Sequence, residues 1–261
     1  MADYREQVRT QSQFGTAART QAEIDEGLRS YMLGIYNYMA IAMVITGGVA
    51  LFFAGLMSAD GGAAVATLAN GKGLSQLGYT IMVSPLKWVV MLAPLAFVLV
   101  MSFGINKMSA STLRAVFFAY SAAMGVSLAS IFFVYTAGSI AQTFFVTAAS
   151  FAGLSLFGYT TKRDLSGMGK FLMMGLIGLI IAMLVNFFVG SSALQFAINV
   201  IGVLIFAGLT AWDTQRLKHM YDVVAHNGEA MAKTSIMGAL SLYLNFVNLF
   251  MFLLSFMGNR E

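Results

Sequence analysis

The chain has no cysteine, two prolines and two histidines among its 261 residues, and charged side chains make up only 10% of it. The missing cysteines exclude disulfides and thiolate metal sites and leave the redox character of the compartment undetermined. His219 and His226 stand seven apart, a spacing that makes no zinc motif by itself, and both read as surface residues. The scarcity of charge, against roughly 25% in an average soluble domain, excludes an ordinary water-soluble fold. With 59% hydrophobic residues and a mean hydropathy of +0.78, the composition is that of an integral membrane protein. The net charge of +4 does not call for nucleic acid, and no such partner is expected, because the basic residues are accounted for by their positions relative to a bilayer.

Seven continuous apolar runs approach the ~20 residues that a helix needs to cross a hydrocarbon core of ~30 Å. They cover roughly 31–57, 86–105, 113–135, 141–160, 171–189, 194–212 and 235–257. Strands of a membrane barrel would alternate over about 10 positions instead, so the spans are helices and the fold is all-α. Residues 1–30 mix both signs of charge and lack the short basic start of a signal peptide. They read as a polar tail ahead of a seven-helix transmembrane domain over 31–258.

Lys and Arg are distributed unevenly about these spans. Twelve of the fifteen fall in the tail and in the connections after the second, fourth and sixth spans, against Lys72, Lys87 and Arg260 on the other side. The positive-inside rule then predicts a cytoplasmic N-terminus and, with an odd number of spans, a C-terminus outside. Trp88 and Trp212 fall near opposite interfaces, where amphipathic rings are favoured.

Within the spans, small residues at four-residue spacing, such as Ser121, Gly125 and Ala129, predict close helix packing. Pro85 suits a first helical turn, and Pro94 falls mid-span, where it predicts a kink. Polar residues are fewer. Ser241, Asn245 and Asn248 recur at i, i+4 and i+7 and line one face of the seventh helix. Asn199, Thr210 and Asp213 fall within an arc of about 60° on the sixth, and Asn186 adds an amide in the fifth. Amides of this kind cement helices together, or two such stripes face each other across a wet path; composition leaves both readings open. Asp213 adjoins the end of an apolar run, where it is either a functional group or a solvated or capping residue. No lysine lies in the seventh span for a retinal Schiff base, one embedded aspartate does not make an aspartyl protease, and no G-x-S-x-G is present. An enzyme is not expected, and no cofactor.

Four stretches together resemble one family: "SLASIFFVYT" in the third span, "YTTKRDLSG" after the fourth, "GLTAWDTQRLK" at the end of the sixth and "ALSLYLNFVNLF" in the seventh. They are similar to the Bax inhibitor-1 family, in its bacterial YccA-like branch, from about Gly34 to Gly258. The resemblance implies six helices surrounding a central seventh, a cytoplasmic N-terminus, a bacterial inner membrane and a pH-sensitive calcium leak. Bacterial relatives are also associated with restraining a membrane-bound protease, so the alternative is a non-conducting regulator that binds such a partner.

In the family, a sixth-helix aspartate shares a proton with a seventh-helix aspartate. Asp213 matches the first; the family's "LYLDFIN" reads "LYLNFVN" here, so the second is Asn245. An amide does not titrate, and the proton-sharing pair is absent. The expectation is a gate made of Asp213 and Asn245, a pH response carried by Asp213 alone, and transient calcium at these two residues through carboxylate and amide oxygens. Lys107 is the nearest match to the family's basic latch on the sixth-helix aspartate. Asn199, Thr210, Ser241 and Asn248 are the expected pore lining, with calcium or other cations as the cargo and the bilayer as the surroundings.

Overall fold

The computed structural model describes residues 21–59, 63–68 and 70–259. Most of the expected tail, residues 1–20, lies outside the described residues, whereas 21–30 are already helical. The described elements are α1 (Gln21–Met57), β1 (Ala66–Thr67), β2 (Gly73–Leu74), α2 (Gln76–Met82), α3 (Leu86–Gly104), α4 (Ala110–Leu128), α5 (Ile131–Val134), α6 (Ala137–Thr160), α7 (Ser166–Val189), α8 (Ser192–Val224) and α9 (Gly228–Met257). Among the described residues, seven helical segments, with α4 and α5 counted as one, are long and apolar enough to cross a membrane, as the apolar runs predict.

Several boundaries have a local cause. Ser109, Thr136, Ser191 and Asn227 stand at helix starts, where their side chains accept hydrogen bonds from N–H groups of the first turns of α4, α6, α8 and α9. Such caps satisfy donors that a helix leaves orphaned. Pro85 precedes α3, and Pro94 lies inside it without interrupting its assignment as one helix. Gly190 ends α7 at φ +65°, a left-handed conformation that costs glycine nothing.

Two runs differ from the expected spans. The third is interrupted at Ala129–Ser130, where the chain turns between α4 and α5. The β1–β2 hairpin is fastened there: Asn70 Nδ2 donates to Phe133 O (2.7 Å) and Lys72 Nζ to Phe132 O (2.9 Å). The sixth continues a further twelve residues past Trp212, so that α8 is about 50 Å long.

Packing follows the small residues. A Cβ on Gly125 would lie 2.7 Å from Thr46 O, which places α4 directly against α1; Ser121 and Ala129 on the same face are fully buried. On Gly158 of α6 it would lie 2.1 Å from Ala211 O of α8. α9 is the most buried of the seven apolar helices, with 61% of its apolar stretch buried against 11% for α3 and α7. It packs chiefly on α8, α1, α6 and α4, while α3 rests on α4 and α2, and α7 on α8.

Candidate functional site

The α8–α9 hairpin builds the site. Its two helices make the most extensive contact in the molecule, joined by a short turn through Ala225–Asn227. Because α8 does not stop at the end of its apolar run, Asp213 is neither a cap nor a solvated terminus. It sits mid-helix, 4% exposed.

A buried carboxylate is tolerated when donors and an opposite charge surround it. Ser241 Oγ and Asn245 Nδ2 each donate to Asp213 Oδ2 at 2.8 Å. Oδ1 accepts no hydrogen bond of ordinary geometry, but Arg216 Nη2, one turn further along α8, lies 2.7 Å from it. The guanidinium also lies 4.8 Å from the ring centroid of Trp212, and a Cβ on Gly169 of α7 would lie 2.2 Å from that ring. Gly169 therefore gives Trp212 its place, and Trp212 supports the arginine that neutralises Asp213.

These groups line one wall of a groove of about 630 Å³ bounded by α7, α8 and α9. Met173, Leu176, Ile180 and Met183 form the α7 side; Ser241, Asn245, Asn248 and Ser255 run down the α9 side. Asn199 lies fourteen residues before Asp213, about 21 Å along α8, in the same groove. Asn199 and Asp213 of the sixth span and Ser241, Asn245 and Asn248 of the seventh thus face one cavity. Asn248 Nδ2 donates to Leu244 O of its own helix and bridges to no neighbour.

Two expected residues are placed elsewhere. Thr210 is fully buried off the groove, with its hydroxyl donating to Phe206 O. It shares its side of α8 with Thr214, which bonds Ser155 of α6, so this face is turned toward α6. Lys107 is exposed in the turn between α3 and α4. Because α3 packs on α4 and α2, the cation brought to Asp213 is Arg216 from the same helix. The i, i+3 spacing of Asp213 and Arg216 in "WDTQR" signals that pair. Gln195 and Ser255 also line the groove without having been singled out; the i, i+4 spacing of Gln195 and Asn199 was the available clue.

No group of three or more His, Cys, Asp or Glu side chains capable of holding a metal occurs among the described residues. At Asp213 the oxygens available to a cation are one carboxylate, the amide of Asn245 and the hydroxyl of Ser241, and a cation approaching Oδ1 competes with Arg216. An aspartate at position 245 would face Asp213 from the seat of an amide now 2.8 Å away, a separation two carboxylates keep only by sharing a proton.

Comparison with known proteins shows the family. The family model described as "Inhibitor of apoptosis-promoting Bax1" matches residues 28–261. An uncharacterized protein of Caulobacter vibrioides is 47% identical over 246 residues, covering 94% of this chain and 95% of its own. The uncharacterized protein RP147 of Rickettsia prowazekii is 42% identical across the full length of both chains. The inner membrane protein YbhL of Escherichia coli is 45% identical over 236 residues, 90% of this chain and 94% of that one. With seven apolar helices and relatives of this kind, the chain is an integral protein of a bacterial inner membrane and belongs to the Bax inhibitor-1, YccA-like family.

Proposed function

We propose that the protein is a cation leak, with calcium as the expected cargo and the α7–α8–α9 groove as its path. One observation carries this reading: a buried carboxylate, Asp213, in the wall of a 630 Å³ groove that runs along membrane-spanning helices. An ionisable group at such a place marks an ion or proton pathway by default. In this reading α9 is the axis of the bundle, the N-terminus is cytoplasmic, and Asp213 and Asn245 form the charged constriction. Arg216 is the latch in place of Lys107: it occupies the carboxylate oxygen that a cation would take, and the path conducts when the guanidinium swings away.

The pH response then belongs to one group. Calcium flux into liposomes, followed across a pH series, should trace a single-proton curve for wild type and no such dependence in Asp213→Asn. Asn245→Asp, which places two acids within hydrogen-bonding distance, should restore a two-step, coupled response. Absence of flux in wild type and both variants would eliminate the leak.

A second reading has its own support. With Arg216 against Asp213 the site carries no net charge, which weakens cation attraction and favours a non-conducting regulator of a membrane-bound protease or other membrane complex. That reading expects no flux, and loss of the partner when residues 2–20 are deleted.

A further inference from the structure

The groove does not end freely at the end remote from Asp213. A chain of side-chain hydrogen bonds crosses it there. Asn186 Nδ2 of α7 donates to Gln195 Oε1 of α8 (3.0 Å), Gln195 Nε2 to Asn199 Oδ1 (3.0 Å), and Asn199 Nδ2 to Ser255 Oγ of α9 (2.9 Å). Asn186 is anchored in turn, because its Oδ1 accepts from Ser191 N (3.0 Å) beyond the Gly190 turn. The belt joins α7 to α9 across α8, although each of these two helices packs chiefly on other partners.

On the far side of the belt lies a second cavity of about 550 Å³, at the ends of the same three helices. Gln195, Asn199 and Ser255 line both cavities, so these side chains are the wall between them. Asn186 and Asn199 are 8% and 5% exposed, whereas Gln195 is exposed. Among the described residues, no charged side chain lines the second cavity. Amides that serve only as glue sit within a packed helix contact; these have a cavity on either side.

We propose that Asn186, Gln195, Asn199 and Ser255 form an uncharged polar gate closing the groove at the end opposite Asp213. The proposal rests on the groove being a permeation path. Closed, every amide hydrogen bond of the belt is made within the protein, and the vestibule and the groove are separate. Open, the same amide and hydroxyl oxygens replace part of a passing cation's hydration shell, as uncharged filter oxygens do. With no fixed charge they do not retain it. The path therefore has a charged constriction at one end and a neutral one at the other.

The absence of cysteine makes a direct test available. Met251→Cys places a reporter thiol in the groove, one helical turn inside Ser255. A charged, membrane-impermeant methanethiosulfonate added from the vestibule side should label it slowly. Labelling should become about tenfold faster when Gln195→Ala or Asn199→Ala is added, a change matching the loss of one interhelical hydrogen bond. Ser127→Ala removes an interhelical hydrogen bond to Val90 O, away from the belt, and should leave the labelling rate unchanged. Equal rates with and without the belt substitutions, or the same acceleration with Ser127→Ala, would overturn the gate. Calcium flux in Gln195→Ala liposomes separates the two ideas. Faster labelling together with faster flux supports the gate on the path; faster labelling with no flux in wild type or variant keeps the barrier and removes the leak.

Discussion

The two sides of α9 solve opposite problems. On one, Tyr243 is fully buried, its ring 5.4 Å from Tyr120 and 6.2 Å from Phe117 in edge-on arrangements. Its hydroxyl lies 2.6 Å from Thr46 Oγ1, which is also within hydrogen-bonding distance of Ser121 O. α1, α4 and α9 are thereby closed into one packed contact. On the other side, Ser241, Asn245, Asn248 and Ser255 face a groove that no side chain fills. Both sides contain polar atoms, so polarity does not distinguish them. What differs is whether rings fill the space around those atoms. A filled polar contact holds the bundle together; an unfilled one leaves room for something to pass.

The sharpest test of this contrast sets Tyr243→Ala against Asn248→Ala. Removing the buried ring should cost roughly 3 kcal/mol or more. Removing an amide that bonds only its own helix should cost less than about 0.5 kcal/mol. Unfolding midpoints in detergent measure both, and equal losses would erase the distinction.

Next comes α8, whose sides divide in the same way. Gly158→Ala drives a methyl group into the backbone at Ala211, on the face away from the groove, and should cost about 1–3 kcal/mol by the same assay. Leak through the groove should change less than stability does.

Arg216→Gln should change both. The guanidinium is 43% exposed but the Asp213 side chain only 6%, so losing the guanidinium leaves a buried carboxylate oxygen without its partner and should cost about 1–3 kcal/mol. Freeing Asp213 Oδ1 should nevertheless raise calcium flux in liposomes. A silent Arg216→Gln would remove the latch from the account.

The smallest effect is expected outside the bundle, at Asp164. Hydrogen bonds from the Ser166 side chain and backbone hold this exposed carboxyl below its ordinary value. A group lowered on folding stabilises above its unfolded value and loses that contribution as pH falls through its folded one. Acidification should therefore remove a small increment of stability from wild type and none from Asp164→Asn, and thermal scans at paired pH values would show the difference.

Much of this molecule was legible in the order of its residues. The seven spans follow from apolar run length, because a backbone in hydrocarbon must satisfy its hydrogen bonds within each helix. The stripe of Ser241, Asn245 and Asn248 follows from helical periodicity, and its placement in one groove with Asp213 and Asn199 agrees with that reading. Helix ends were less legible. The run of apolar residues stops at Trp212 while the helix continues to Val224, because polar residues with good helical propensity extend α8 beyond its apolar part.

The partner of Asp213 is the clearest case of what the linear order left open. The resemblance pointed to Lys107 as the cation, and its exclusion depends on which helices α3 packs against, a property of the whole bundle; Arg216 of Asp213's own helix takes that place. Thr210 differs from Asp213 by about 60° around the helix, and only the position of α6 turns it off the groove. The amide belt unites residues from three helices, and its two flanking cavities exist only after those helices assemble.

The sequence by itself determined the membrane class, the seven helices and the polar stripes. All of these depend on chemistry read within one helix at a time. Tertiary structure decided that Lys107 stays away from Asp213, that Thr210 stands off the groove, and where the groove lies. Those outcomes depend on distances between helices, which small contacts such as Gly158 against Ala211 and Gly169 against Trp212 set to within an atom's width.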